Sequence, residues 1–152
     1  MTGPETGQPA PDFTLRGTTG EVRLSDLLRD GPVVLLFYVE DSTPSCTQQV
    51  VSFRDEHETL SELGARLIAV SADPVATHER FVERLGGLPF PLLADPDLEV
   101  ARLYGVADEQ FKRSGRAVFV IDQTGLIKAR FVPYSIASTE HFLAVFEALG
   151  VG

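Results

Sequence analysis

Three features of the chain predict an α/β fold, a partly parallel sheet covered by helices on both faces. Apolar, β-branched runs alternate with amphipathic stretches through the middle of the sequence. The runs "PVVLLFYV" and "ARLIAVSAD" lack polar alternation over most of their length, the pattern of strands buried on both faces. A later pair of strand-like runs meets at "DQTG" and adds an antiparallel hairpin. The length of 152 residues, with 43% hydrophobic and 23% charged residues, suits one domain over 1–152.

Each element follows from local chemistry. Residues 1–11 hold three prolines and two glycines and are expected to form a loose lead-in. "DFTLRGTTGEVRLSDLL" reads as two short strands about a "GTTG" turn, with Ser25 or Asp26 opening a helical turn. After the first buried strand, Cys46, Val50, Phe53, Leu60 and Leu63 fall at helical spacings and predict one helix over 45–63, with Gly64 as its stop. The second buried strand leads into "PVATHERFVERLGG", a helix with Pro74 near its first turn and glycines at its end. "FPLLAD" is a short strand and "PDLEVARLYGV" a further helix. "RAVFVIDQTGLIKARFVP" is the hairpin, and "STEHFLAVFEALG" is a terminal helix with Ser138 as its N-cap.

Thirteen basic residues against 22 acidic ones, a net charge of −9, argue against general binding to nucleic acid or anionic membrane. The longest apolar run is residues 33–39, far short of the roughly 18–20 residues that span a bilayer. The first residues lack the positive start and apolar core of a signal peptide, so a cytoplasmic protein is expected. His57, His78 and His141 show no ligand spacing and read as surface or capping residues, and no metal is expected. No phosphate-binding glycine loop occurs, and no cofactor is implied.

Cys46 is the only cysteine, so no disulfide can form within the chain. A lone cysteine is usually a small buried hydrophobe. This one, however, stands in "EDSTPSCTQQ", just past the carboxyl end of the first parallel strand, where α/β sheets place their reactive groups. In the first turn of a helix, unpaired backbone N–H groups and the helix dipole favour a thiolate. Thr43, three residues earlier, can aim its hydroxyl at the sulfur across the turn made by Pro44. Taken alone, Thr43 reads as a helix cap, Arg116 as a surface charge and Gln49 as a solvated helix residue. Arg54 and Asp55 read as an ion pair or a loop anchor.

"FYVEDSTPSCTQQVVSFRD" resembles the active-site segment of the peroxiredoxins, nearest to the bacterioferritin-comigratory (PrxQ-type) branch. Further resemblances run through "APDFTL", "LIAVSADPVATHERF", "FPLLADPDLEVARLYGV" and "VFVIDQTGLI". The resemblance implies a thioredoxin-like fold with a central mixed sheet. It implies a thiol peroxidase in which Cys46 attacks a peroxide, Thr43 and Arg116 assist it, and Gln49 holds the arginine. Three positions depart from the family pattern. Val39 replaces the proline of P-x-x-x-T-x-x-C, Ser45 replaces a glycine, and Val51 stands where a resolving cysteine often lies. The implied enzyme therefore reduces hydrogen peroxide or small organic hydroperoxides through one cysteine. An external thiol, either a thioredoxin-like protein or a low-molecular-weight thiol, then resets it. The alternatives are a weakened redoxin-fold binding module, which Val39 favours, and a peroxide sensor. The family includes monomers and homodimers.

Overall fold

The computed structural model describes residues 3–136 and 138–149. Two short strands, β1 (Thr14–Gly17) and β2 (Gly20–Arg23), form the first hairpin, and α1 (Leu24–Leu28) follows it. The first buried run forms β3 (Val33–Phe37), and α2 (Pro44–Asp55) and α3 (His57–Glu62) follow. Next come β4 (Arg66–Ser71), α4 (Val75–Arg84), β5 (Leu92–Ala94) and α5 (Glu99–Leu103). A small ribbon of β6 (Ala107–Asp108) and β7 (Arg113–Ser114) precedes the hairpin β8 (Ala117–Ile121) and β9 (Ile127–Phe131). The chain then enters α6 (Thr139–Ala148), whose N-cap Ser138 accepts a hydrogen bond from the backbone N–H of His141.

The main sheet has the order β2-β1-β5-β4-β3-β8-β9. β3 pairs parallel with β4, and β4 with β5, while β8 runs antiparallel to β3 and β9 to β8. This is the mixed α/β sheet expected from the sequence. All five residues of β3 are buried, and its period-2 alternation feeds two cores. Val33, Leu35 and Phe37 point to one face with Leu24, Val100, Tyr104 and Phe119. Val34, Leu36 and Tyr38 point to the other with Cys46, Val50, Phe53, Phe81 and Val145. Helices α2, α3, α4 and α6 therefore cover one face, and α1 and α5 the other.

Two expectations are corrected, and one element is added. The helix predicted over 45–63 is divided at Glu56, whose backbone (φ −103, ψ 8) leaves helical geometry. Between Phe53 and Leu60 every residue is polar, so nothing in the periodicity required one continuous helix. Gly64, at φ +78, still ends the second piece in a conformation that disfavours a side chain. The lead-in is not loose at residues 7–10. Gly7 and Ala10 donate backbone hydrogen bonds to Ile127 and Gly125, and Gln8 accepts one from Ile127. The ribbon β6–β7 is an addition, because two-residue strands are too short to show alternation.

The face opposite Cys46 supplies a test of how the layers share stability. The Phe119 ring meets those of Phe37 and Tyr104 at centroid distances of 5.9 and 5.1 Å and is fully buried. Phe119→Ala is expected to lower the unfolding free energy by about 3–5 kcal/mol in urea titration. Alkylation of Cys46 in the native protein should be unchanged, since the lost ring lies across the sheet.

Candidate active site

The chain leaves β3 at Phe37, turns through residues 38–43 and enters α2 at Pro44. Proline suits this first helical position because its fixed φ is already helical and its missing N–H has no helical partner to lose. Cys46 is the third residue of α2 and only 1% exposed. Its sulfur thus lies in the first turn, where the free backbone N–H groups favour negative charge.

Thr43 occupies the N-cap position, yet its side chain makes no capping hydrogen bond. The one hydroxyl proton can go to the Glu40 carbonyl, 3.3 Å away, or to a Cys46 thiolate. The expected cap is therefore not made, and the Thr43 hydroxyl lies nearest the Glu40 carbonyl.

Arg116 stands immediately before β8 and reaches across to α2. One guanidinium nitrogen donates to the Ser45 carbonyl at 3.2 Å and to Gln49 Oε1 at 2.9 Å. The other donates to Ser45 Oγ at 3.0 Å and points to Cys46 Sγ at 3.5 Å. Gln49 is fully buried rather than solvated, and its amide nitrogen donates to the Phe37 carbonyl at 3.4 Å. Sequence reasoning missed Ser45 as a partner of this arginine. Ser45 sits within α2, so its position has no need of glycine; the positive φ falls instead on Ser42, at +66.

Burial pushes the Cys46 thiol up, but hydrogen bonds from the Thr43 hydroxyl and the backbone at Glu40 and Val39, joined by the Arg116 charge, outweigh it. The thiol lies below its ordinary value as a result. A hydrogen bond that lowers a thiol must come from a donor, so at Val39 the contributing group is the backbone N–H. A proline there would have none. Val39 also packs against the apolar cluster that contains Cys46.

Behind the loop lies a second polar group. The Tyr38 hydroxyl donates to Asp41 Oδ1 at 2.5 Å, and His78 Nδ1 lies 2.7 Å from Asp41 Oδ2. His78 Nε2–H donates to the Leu93 carbonyl at 2.9 Å. His78 is fully buried, contrary to the surface or capping role read from the sequence. Isolated in sequence, it gave no ligand pattern; its partners come from β5 and from the turn after β3. Asp41, Asp73 and His78 bring three possible metal donors within 4.8 Å of one another. Both His78 nitrogens and both Asp41 oxygens are already engaged within the protein, so the group reads as a hydrogen-bond network.

A surface cavity of about 560 Å³ lies at the amino ends of β4 and β5, lined by residues that include Val22, His57, Arg66 and Pro91. It contains none of the residues around Cys46. No described helix is long and apolar enough to cross a membrane.

Residues 6–130 match the model of the AhpC/TSA family. The chain belongs to that family. Among its AhpC/TSA relatives it is 39% identical over 131 residues to a putative peroxiredoxin bcp of Coxiella burnetii, covering 82% of this chain and 86% of the relative. It is 41% identical over 132 residues to the peroxiredoxin Bcp of Bacillus subtilis, covering 82% and 83%. Against a putative chloroplastic peroxiredoxin Q of Oryza sativa subsp. indica the identity is 37%, and the match spans 56% of that longer protein. The crystal structure of peroxidoxin BcpB from Mycobacterium tuberculosis superposes with a TM-score of 0.88 at 34% identity, over 96% of each chain. The thioredoxin-like α/β fold of the peroxiredoxins is thus shared along nearly the whole length.

Two substitutions test the donors around the sulfur in this AhpC/TSA site. Thr43→Val and Val39→Pro each remove one donor, and each is expected to raise the pH midpoint of Cys46 alkylation by iodoacetamide. A midpoint that stays in place in both variants would contradict the donor assignment.

Proposed function

We propose that Cys46 is the peroxidatic cysteine of a one-cysteine thiol peroxidase, with Thr43 and Arg116 as its catalytic partners and Gln49 and Val39 in support. The chain is a peroxiredoxin, and the observation that carries the assignment of roles is the convergence of donors on one buried sulfur. The Arg116 guanidinium points to Cys46 Sγ at 3.5 Å, and the Thr43 hydroxyl and the backbone at Val39 help to hold this thiol, the only one in the sequence, below its ordinary value.

The chemistry follows from where charge develops. The Cys46 thiolate attacks one peroxide oxygen in line with the O–O bond; an S–O bond forms and the O–O bond breaks. Sulfur is oxidised to the sulfenic acid, and the leaving oxygen takes a proton and departs as water or an alcohol. Negative charge passes from sulfur onto the oxygens, so donors already in place favour the transition state over the ground state. Arg116 can serve both ends of that path, since the nitrogen near Cys46 Sγ is held from behind by Ser45 Oγ. Gln49 holds the other nitrogen and fixes the guanidinium plane.

With a single cysteine in the sequence, the sulfenic acid must be reset by an external thiol. The first thiol forms a mixed disulfide and releases water; a second frees Cys46 and leaves as the oxidised reductant. A thioredoxin-like protein or a low-molecular-weight thiol fits this role. A protein thiol cannot reach a sulfur that is 1% exposed unless the first turn of α2 moves. We further propose hydrogen peroxide or small organic hydroperoxides as substrates, a cytoplasmic setting, one domain over 1–152, and a monomer or homodimer. The rival reading as a weakened binding module rests on Val39, and the N–H that Val39 offers to the sulfur argues against it.

One equivalent of hydrogen peroxide is expected to add a single oxygen to Cys46 within seconds, trapped by a sulfenic-acid reagent and read by mass spectrometry. Arg116→Met should slow that oxidation by about 10²-fold or more in rapid-mixing measurements, the usual scale for a lost charge-stabilising donor. Oxidation of the unaltered protein at the rate of a free thiol would overturn the assignment.

A further inference from the structure

Building on the peroxidase reading, we propose that Tyr38, Asp41 and His78 are positioning residues for the reaction. Their buried hydrogen-bond chain holds the turn over residues 38–43 so that its donors face Cys46. None of the three is hydrogen-bonded to the sulfur. They act through the backbone between them and through Thr43.

Tyr38 and Asp41 bracket Val39, which packs against the apolar cluster of Cys46, and Glu40, whose carbonyl lies 3.3 Å from the Thr43 hydroxyl; the backbone at both helps to hold the Cys46 thiol below its ordinary value. The bond from the Tyr38 hydroxyl to Asp41 closes this four-residue segment into a ring. Burial first, and then the neighbouring Asp41 charge, push the Tyr38 hydroxyl well above the usual phenol range, which keeps it a donor. His78 ties the ring to the rest of the protein. Its Nε2–H goes to Leu93 on β5, so one proton bridges Nδ1 and the Asp41 carboxyl. Three further contacts act on the same turn. The Asp41 backbone N–H donates to Asp73 Oδ2 at 2.9 Å, Ser71 Oγ donates to the same oxygen at 2.6 Å, and Arg84 donates to Ser42 Oγ at 2.6 Å. The last of these holds a residue at φ +66, a conformation a serine keeps only where its surroundings impose it. Thr43 follows at once, and among the described residues its hydroxyl donates only to the backbone carbonyl of Glu40, within the same turn.

The chain could instead serve only to join α4 to β5, and two amides separate the cases. In His78→Asn the amide nitrogen takes the place of Nδ1 and can still donate to Asp41. In His78→Gln it takes the place of Nε2, keeps Leu93 and releases Asp41. The measurements are the rate of Cys46 oxidation by hydrogen peroxide, the pH midpoint of Cys46 alkylation, and the melting temperature. His78→Gln is expected to oxidise roughly 10-fold more slowly with a raised midpoint, as small misplacements of reacting groups do, while His78→Asn stays within about 3-fold of the unaltered protein. Tyr38→Phe, which removes one oxygen and leaves the ring packed, should also slow oxidation and raise the midpoint. It carries the test if His78→Gln does not fold. A folded His78→Gln with unchanged rate and midpoint, an equal loss in His78→Asn, or an unaffected Tyr38→Phe would overturn the proposal. If the unaltered protein is itself oxidised no faster than a free thiol, the peroxidase reading fails, and the alkylation midpoints still decide whether these residues position the turn.

Discussion

The antiparallel register of β3 and β8, with Phe37 opposite Ala117, puts Arg116 just beyond the point where the chain turns toward Cys46. Everything at the site depends on that pairing. From there the guanidinium meets two acceptors on Ser45, one on Gln49 and the sulfur itself, all on α2. Side chains alternate along a strand, so a slip of one residue would send Arg116 to the opposite face. The apolar residues of β3 and β8 prevent that slip, because both faces of both strands are buried and each face has its own core.

A buried thiol is costly to ionise, and the local structure offsets that cost with donors that are few and firmly placed. Thr43 forgoes its helix-capping bond, Val39 offers an N–H, and Arg116 is held at three points away from the sulfur. Low dielectric strengthens each such contact and equally penalises any group left unpaired. The same logic applies behind the turn, where Tyr38, Asp41 and His78 satisfy one another in the interior. Two polar networks thus serve successive stretches of the chain, one at the first turns of α2 around the sulfur and the other at the turn that precedes them.

Much of this was legible beforehand. The strands β3, β4 and β8 announce themselves as unbroken apolar runs, and the strand-to-helix junction after a buried strand marks Cys46 on local grounds, whereas Thr43 taken alone reads as a cap. Arg116 needed the resemblance, since an arginine before a strand is otherwise a surface charge. The division of the second helix at Glu56 was not legible, because the polar residues between Phe53 and Leu60 carry no facing preference. His78 was hidden for a related reason: a histidine on an amphipathic helix looks alike whether it meets water or a buried carboxylate.

By itself the sequence determined the layer architecture, the single thiol and its place at a strand-to-helix junction. Those follow from periodicity, composition and short-range turn chemistry, which neighbouring residues settle among themselves. Only the tertiary structure decided that Gln49 is buried against Arg116, that Ser45 is an acceptor for the same arginine, and that His78 reaches the turn before α2. The partners involved are separated by 67, 71 and 37 residues along the chain. Contacts of that range exist only once the sheet order has brought β8 and α4 to either side of the loop after β3.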